Sequence, residues 1–188
     1  MAIKIFIDQG HNPVNPNAGA EVNGVREQDI NYEVGIRLAA LLNANPNFEA
    51  RVSRPTPTTQ LGTSVSTSLQ ARVDAANSWP ADAFLSLHCN TSENTSASGS
   101  EAYVFSTNTP AYTLATRILE GLHNMTGLPN RGVNATTRLF VLRNTTMPAV
   151  LVEMGYMTNP RDLQLLTTDP QSFARGIYNG ILTYYGLA

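Results

Sequence analysis

The sequence predicts an α/β fold in one domain, with a mostly parallel, twisted sheet of about six strands and helices on both faces. Short apolar segments of strand length alternate with segments of helical periodicity along the chain, which is typical of this class. Ala83–His88 is almost continuously apolar, as are strands buried on both faces of a parallel sheet. The chain has 188 residues, 42% of them apolar, and shows no repeat or linker, so a single domain over 1–188 is expected.

Strand-like composition marks six segments. The first alternates and is rich in isoleucine, and the last is almost wholly apolar. In chain order they are Ile3–Asp8, Phe48–Ser53, Ala83–His88, Glu101–Phe105, Leu139–Leu142 and Ala149–Glu153. Segments rich in Gly, Asn, Pro, Ser and Thr predict loops at 10–23, 53–68 and 90–100.

Four segments place apolar residues at helical spacing. The last has the clearest start signal, because Asp169 can cap the helix and Pro170 suits its first position. In chain order the helices run from near Glu27 to before Pro46, from about Leu69 to before Pro80, from about Ala111 to Gly127, and onward from Pro170.

Composition excludes several classes of protein. The single cysteine, Cys89, rules out a disulfide framework and a multi-cysteine zinc site. A net charge of −2 without a basic run argues against nucleic acid as a partner. No apolar stretch approaches the length of a membrane span, so no membrane partner is expected. The N-terminal MAIKIFID reads as a strand, and no signal peptide is expected there.

Three polar residues stand where predicted strands end. His11 follows the first strand, His88 ends the third, and Glu153 ends the last. The carboxyl ends of parallel strands share one edge of a sheet, so these side chains are expected to converge. A histidine at such a position is often structural, but an unpaired carboxylate after an apolar strand is costly. Glu153 therefore calls for a charged partner or a metal.

Two imidazoles and one or two carboxylates suit a catalytic zinc ion, which takes three protein ligands and leaves one position open. A mixed nitrogen and oxygen set favours Zn²⁺ over Mg²⁺ or Ca²⁺. Glu27 is a second candidate carboxylate, although a glutamate at a helix start is also favoured by the helix dipole. Spacing alone leaves open which carboxylate is the ligand and which the general base. His123, late in a helix, is interpreted as a surface residue near the helix C-terminus.

Cys89 offers a competing interpretation, a Cys/His hydrolase with His88 as its base. Neighbouring residues on a strand point to opposite faces, so the two side chains are expected to diverge. A small, buried cysteine is the favoured interpretation.

In the segments around His11, Glu27, His88 and Glu153, the chain resembles the zinc-dependent N-acetylmuramoyl-L-alanine amidases, which hydrolyse peptidoglycan. The matching segments occur in order and span almost the whole chain. They are Asp8-Gln9-Gly10-His11-Asn12 with Ala18-Gly19-Ala20, Glu27-Gln28-Asp29-Ile30-Asn31, Ser86-Leu87-His88-Cys89-Asn90, Asn130-Arg131-Gly132-Val133, Phe140–Arg143 and Pro148–Pro160. The chain departs from the family pattern at Gln9 and Asn12, where proline and glycine are usual, and at Ser53-Arg54, where a Thr-Arg pair is usual. The first two changes are expected to alter loop stiffness without removing a ligand.

The resemblance implies that His11, Glu27 and His88 bind zinc and that Glu153 is the catalytic carboxylate. Asn90 is expected to help position the substrate. The implied activity is hydrolysis of the amide between N-acetylmuramic acid and L-alanine, at the cell wall. A non-catalytic wall-binding or regulatory domain on the same fold is the main alternative, and a zinc peptidase is another. The sequence does not select among an autolysin, a sporulation enzyme and a phage lysin.

Overall fold

The computed structural model describes all residues from Met1 to Ala188. The strands are β1 (Ile3–Gln9), β2 (Glu21–Val22), β3 (Val25–Arg26), β4 (Phe48–Val52), β5 (Ala83–Asn90), β6 (Ser100–Val104), β7 (Asn130–Ala135) and β8 (Ala149–Tyr156). The helices are α1 (Glu27–Asn43), α2 (Val65–Ser78), α3 (Pro110–Thr126), α4 (Phe140–Asn144), α5 (Pro160–Thr168) and α6 (Pro170–Tyr185). None of the helices combines the length and apolar character that a membrane span requires.

Six strands form one mixed sheet in the order β4-β1-β5-β8-β6-β7. The pairs among β4, β1, β5 and β8 are parallel, β6 runs antiparallel to β8, and β7 is parallel to β6. The predicted mostly parallel sheet of about six strands is therefore confirmed. The carboxyl ends of β1, β5 and β8 meet at one edge, as expected for neighbouring parallel strands.

Strand alternation sorts the side chains onto two faces with different helical cover. Odd-numbered residues of β1 and β5, such as Ile7 and Leu87, join a 29-residue core cluster under α1, α3, α5 and α6. Even-numbered residues, such as Phe6 and Phe84, join a 10-residue cluster under α2 and α4. Helices on both faces were predicted and are confirmed. His88 lies on the α2/α4 face, because it continues the even-numbered series of β5. Glu153 on β8 is its register partner, so the side chain of Glu153 lies on the same face.

One predicted strand is wrong. Leu139–Leu142 is not a strand, because Phe140–Asn144 forms α4. Val141 and Leu142 are buried together against α2 and the sheet. A run of four apolar residues fits a buried helical turn as well as a strand, so its periodicity is ambiguous. The sixth strand is instead β7, whose exposed, polar sequence NRGVNA lacks the apolar pattern of a strand.

The β2–β3 hairpin and α5 were not predicted. The hairpin turns at Asn23-Gly24, where both residues have positive φ, and this dipeptide is the strongest short hairpin signal. Its strands are only two residues long, too short for alternation to show. The start of α5 also carried a signal, since Asn159 caps the helix and Pro160 follows it.

Candidate metal centre

His11 follows directly after β1, where the chain turns across the sheet edge. Its backbone is left-handed, with φ of 68°, a conformation uncommon outside glycine. Two buried arginines hold the turn, because both donate hydrogen bonds to the His11 carbonyl oxygen, Arg72 at 2.7 Å and Arg54 at 3.5 Å. The imidazole faces the first turn of α1, and its Nε2 lies 3.1 Å from Oε2 of Glu27.

Glu27 is the buried first residue of α1. Its Oε1 lies 3.0 Å from Nδ1 of His88. The carboxylate also accepts hydrogen bonds from the backbone N–H groups of Ala20 and Cys89, both at 3.1 Å. Burial acts to raise the pKa of Glu27, but hydrogen bonds and charge from the two histidines outweigh it and hold the pKa far below its usual range. The ionised carboxylate is thus fixed between two imidazoles.

His11, Glu27 and His88 form a group that could hold a metal ion. Their ligand atoms all lie within 4.8 Å of one another. Around a tetrahedral ion with ligand distances of about 2.1 Å, two ligand atoms are about 3.4 Å apart. The separations of 3.0 and 3.1 Å across Glu27 are close to this spacing. The donor set and its spacing therefore fit a metal ion with three protein ligands.

Two glycines let the backbone approach this group. A Cβ at Gly10 would lie 2.4 Å from the imidazole of His88, and one at Gly19 would lie 2.8 Å from Oε2 of Glu27. Real Cβ contacts are essentially never this short, so any larger residue at either position would displace the side chain of His88 or Glu27. The packing of the loop around the ligands explains why both positions are glycine.

Glu153 lies beside His88, its register partner across β5 and β8. Its Oε2 is buried and has no hydrogen-bond partner in the protein. Burial raises the pKa of Glu153 to about 7, since attraction to His88 is opposed by the charges of Glu27 and Glu101. A carboxyl group of this kind, next to a metal centre and free of protein partners, is suited to proton transfer.

Comparison with known proteins identifies the family of this chain. The family model described as N-acetylmuramoyl-L-alanine amidase matches residues 5–183. This chain is a member of that amidase family. The prediction of the family from the sequence is confirmed.

Curated relatives and solved structures of amidases match over nearly the whole chain. The chain is 35% identical over 190 residues to the N-acetylmuramoyl-L-alanine amidase CwlM of Bacillus licheniformis, covering 99% of this chain and 70% of the relative. It is 35% identical over 185 residues to the amidase LytC of Bacillus subtilis, covering 96% of this chain but 35% of that longer protein. The catalytic domain of the amidase CwlV from Bacillus (Paenibacillus) polymyxa superposes with a TM-score of 0.86 at 28% identity, covering 99% of both chains.

The two residues that depart from the amidase motif around His11 both form hydrogen bonds to other segments of the chain. The Oε1 of Gln9 accepts a hydrogen bond from the backbone N–H of Arg54 at 2.8 Å. The side chain of Asn12 donates to the carbonyl oxygens of Pro16 and Leu61 and accepts from the N–H of Leu61. Both residues are buried, so their contacts join loop to loop within the protein.

Asn90 lies at the end of β5, where it pairs with Tyr156 of β8, and its side chain reaches Glu101 on β6. Its Nδ2 donates to Oε1 of Glu101 at 2.5 Å, and its Oδ1 accepts from the N–H of Thr91 at 2.9 Å. Tyr156 donates to the same Glu101 oxygen at 3.0 Å. Asn90 therefore borders the site with a fixed orientation, and one N–H of its amide is uncommitted.

Cys89 and His123 lie outside the metal centre. Cys89 points into the larger core cluster, opposite to His88, as the strand alternation predicts. Burial, with the charges of Glu27 and Glu153, raises the pKa of its thiol well above the usual value, which suits an inert thiol. His123 is exposed near the end of α3, and its Nδ1 lies 2.7 Å from the carbonyl oxygen of Leu128.

Sequence reasoning missed Arg72 and its partner Asp8, a buried ion pair beside the turn that carries His11. Both are buried, and Arg72 pairs with Asp8 while donating to the carbonyl oxygens of Gln9 and His11. Burial would raise the pKa of Asp8, but Arg72 and a hydrogen bond from Ser86 lower it overall. No local pattern marks a pair separated by 64 residues. The available signal was a charged residue at a buried position of each element, Asp8 on β1 and Arg72 on α2.

We expect Arg72→Met to destabilise the fold by about 3–5 kcal/mol at neutral pH, because it strands the buried charge of Asp8. Urea unfolding followed by circular dichroism measures this loss. The matched control is Arg117→Met, which removes an exposed pair with Glu120 and should cost less than about 1 kcal/mol. Equal, small losses in the two variants would contradict a supporting role for Arg72.

Proposed function

We propose that this chain is a zinc-dependent enzyme that hydrolyses the amide between N-acetylmuramic acid and L-alanine in peptidoglycan. The convergence of His11, Glu27, His88 and Glu153 at one sheet edge is the observation that carries this proposal. Membership of the amidase family supports the substrate and the bond. A non-catalytic domain would have no need of both a complete ligand set and an unpartnered carboxyl group beside it.

The proposed ligands are His11, Glu27 and His88, and the proposed ion is Zn²⁺. Two nitrogen donors and one oxygen donor suit zinc better than the harder Mg²⁺ and Ca²⁺. When bound, such an ion polarises the scissile carbonyl and makes the attacking water more acidic. Glu27 holds its ligand geometry through the N–H groups of Ala20 and Cys89, so its carboxylate needs no rearrangement on binding.

Glu153 is the proposed general base and then the general acid. Its free Oε2 accepts a proton from the attacking water and afterwards delivers it to the departing alanine nitrogen. This transfer balances the reaction, since one water is consumed and a carboxylic acid and an amine are formed. Asn90, with one uncommitted amide N–H, is proposed to position the substrate next to Glu153.

We further propose that residues 1–188 form one amidase catalytic domain that acts on the bacterial cell wall. The family match over 5–183 and relatives named amidase or endolysin support this assignment. LytC, which this chain covers over 35% of its length, shows that such a domain also occurs in longer proteins.

Product analysis tests which bond is cleaved. Purified peptidoglycan digested by the enzyme should gain free alanine amino termini, measured by amine labelling and mass spectrometry, and no new reducing sugar ends. New reducing ends would identify a glycosidase, and cleavage within the stem peptide would identify a peptidase. Either result would overturn the proposed function.

Metal analysis tests the ligand set. We expect the purified protein to hold about one zinc per chain and His88→Ala to lose most of it, because two remaining ligands bind the ion poorly. Inductively coupled plasma mass spectrometry measures the content. His123→Ala is the matched control, since His123 lies outside the site and should leave zinc unchanged. Full lytic activity in chelator-treated, metal-free protein would refute zinc dependence.

Glu153→Gln separates catalysis from metal binding. The amide keeps the shape of the side chain but cannot accept the proton, so turnover should fall by about 10²–10⁴-fold while zinc content stays near wild type. Glu120→Gln, at an exposed position on α3, is the control and should keep full turnover. Zinc loss in Glu153→Gln would make Glu153 a ligand. Unchanged turnover would make it a structural residue.

A further inference from the structure

The sheet edge beyond Glu153 carries a second carboxylate. Glu101 on β6 is the register partner of Glu153 on β8, so both side chains lie on the same face of the sheet. Glu101 is buried and forms no ion pair, and it accepts hydrogen bonds from Asn90 and Tyr156. This side of the metal centre therefore presents negative charge close to the proposed proton-transfer group.

Arg131 on β7 lies at the outer end of the same edge. Its guanidinium stacks over the ring of Tyr156, 5.2 Å from the ring centroid, and its Nη1 lies 3.4 Å from the carbonyl oxygen of Ser98. Gly99 leaves room for it, because a Cβ there would lie 3.1 Å from Cγ of Arg131. The guanidinium is guided by these contacts, yet no carboxylate pairs with it, in contrast to Arg72. Its capacity to bind a carboxylate is free.

The opposite side of the metal centre has a different character. A cavity of about 250 Å³ extends from His11 and His88 between α2 and the start of α4. Its walls include Leu69, Leu139 and Arg138, which has no ion pair, and the carboxylate of Asp8 within it is already neutralised by Arg72. The two sides are therefore not equivalent: the cavity side offers Arg138 and no carboxylate without an ion pair, whereas along the β6–β7 side a carboxylate without an ion pair is followed by an arginine.

The reaction fixes which part of the substrate lies on the β6–β7 side. In the proposed mechanism Glu153 returns its proton to the alanine nitrogen, so this nitrogen lies next to Glu153 and Glu101. With the departing peptide extended toward β7, the muramoyl part would lie toward the cavity at His11. The new amino group is cationic, and the next charged group along the peptide is the free carboxylate of its second residue. This order of charges complements Glu101 followed by Arg131.

We propose that Arg131 determines specificity by binding the free carboxylate of the second residue of the stem peptide. The inference rests on the proposed function and deepens it. The planar guanidinium matches a carboxylate with two parallel hydrogen bonds, and stacking on Tyr156 leaves its edge available for them. The enzyme thereby distinguishes muramoyl peptides with this free carboxylate from those in which it is a primary amide.

The test uses two synthetic muramoyl tripeptides that differ only in this group, a free acid and its primary amide. For the wild-type enzyme we expect kcat/KM to be about 10- to 100-fold higher for the acid, mainly through KM, as loss of a charge-assisted hydrogen bond implies. Arg131→Gln should abolish the preference by losing activity on the acid alone. Arg131→Lys should restore part of it, because it keeps the charge without the planar fork. Arg143→Gln is the matched control, since Arg143 also stacks on a ring, that of Phe140, and has no ion pair.

A binding measurement separates this inference from the proposed function. Calorimetry with the two product peptides, each with a free alanine amino terminus, should show the same preference for the acid in the wild type and none in Arg131→Gln. If neither tripeptide is hydrolysed, the proposed function fails and the calorimetry alone decides the inference. Equal kcat/KM or equal binding for acid and amide in the wild type would overturn it. A preference that persists in Arg131→Gln would also overturn it.

Discussion

The buried guanidinium of Arg72 is the interaction on which the metal centre depends. Backbone carbonyl oxygens that leave the strand ladder and are buried must find donors elsewhere. At the end of β1 those of Gln9 and His11 find the same side chain, which also neutralises Asp8. One cation from α2 therefore binds three acceptors within residues 8–11 of the chain. This stabilises the left-handed backbone at His11, and it is this turn that points the imidazole at Glu27.

The three candidate ligands consequently come from separate parts of the fold. His11 depends on a strained turn, His88 on the end of a central strand, and Glu27 on the N-terminus of α1. The β2–β3 hairpin sets where α1 begins, because the N–H of Glu27 bonds to the carbonyl oxygen of Ala20 just before the hairpin. No short segment contains the site. Its geometry is a product of the sheet, which holds these parts together.

This division explains what the sequence could predict. His11, His88 and Glu153 follow from the topology, because strand ends in a parallel sheet must converge. Glu27 as a ligand followed from the family resemblance alone, since its position at a helix start has an ordinary electrostatic explanation. The sequence marked Arg72 as a charge at a periodic position, but the roles of Arg72 and Glu101 could not be predicted, because they arise from contacts with residues distant in the chain. At Leu139–Leu142 local pattern failed, because four apolar residues cannot distinguish a strand from a buried helical turn.

The two faces of the sheet are covered unequally, and this explains where the candidate site lies. Four helices cover one face and bury the larger cluster of 29 residues, whereas α2 and the short α4 bury 10 on the other. The smaller cluster takes its strand residues from β1, β5 and the start of β8, and from β6 only Tyr103 packs against it. His88, Glu153 and Glu101 all lie on this less covered face, on strands whose opposite face is packed against the large core. The large core on one face holds these strands in place, and the other face gives a polymeric substrate access to the site. Neither requirement therefore limits the other.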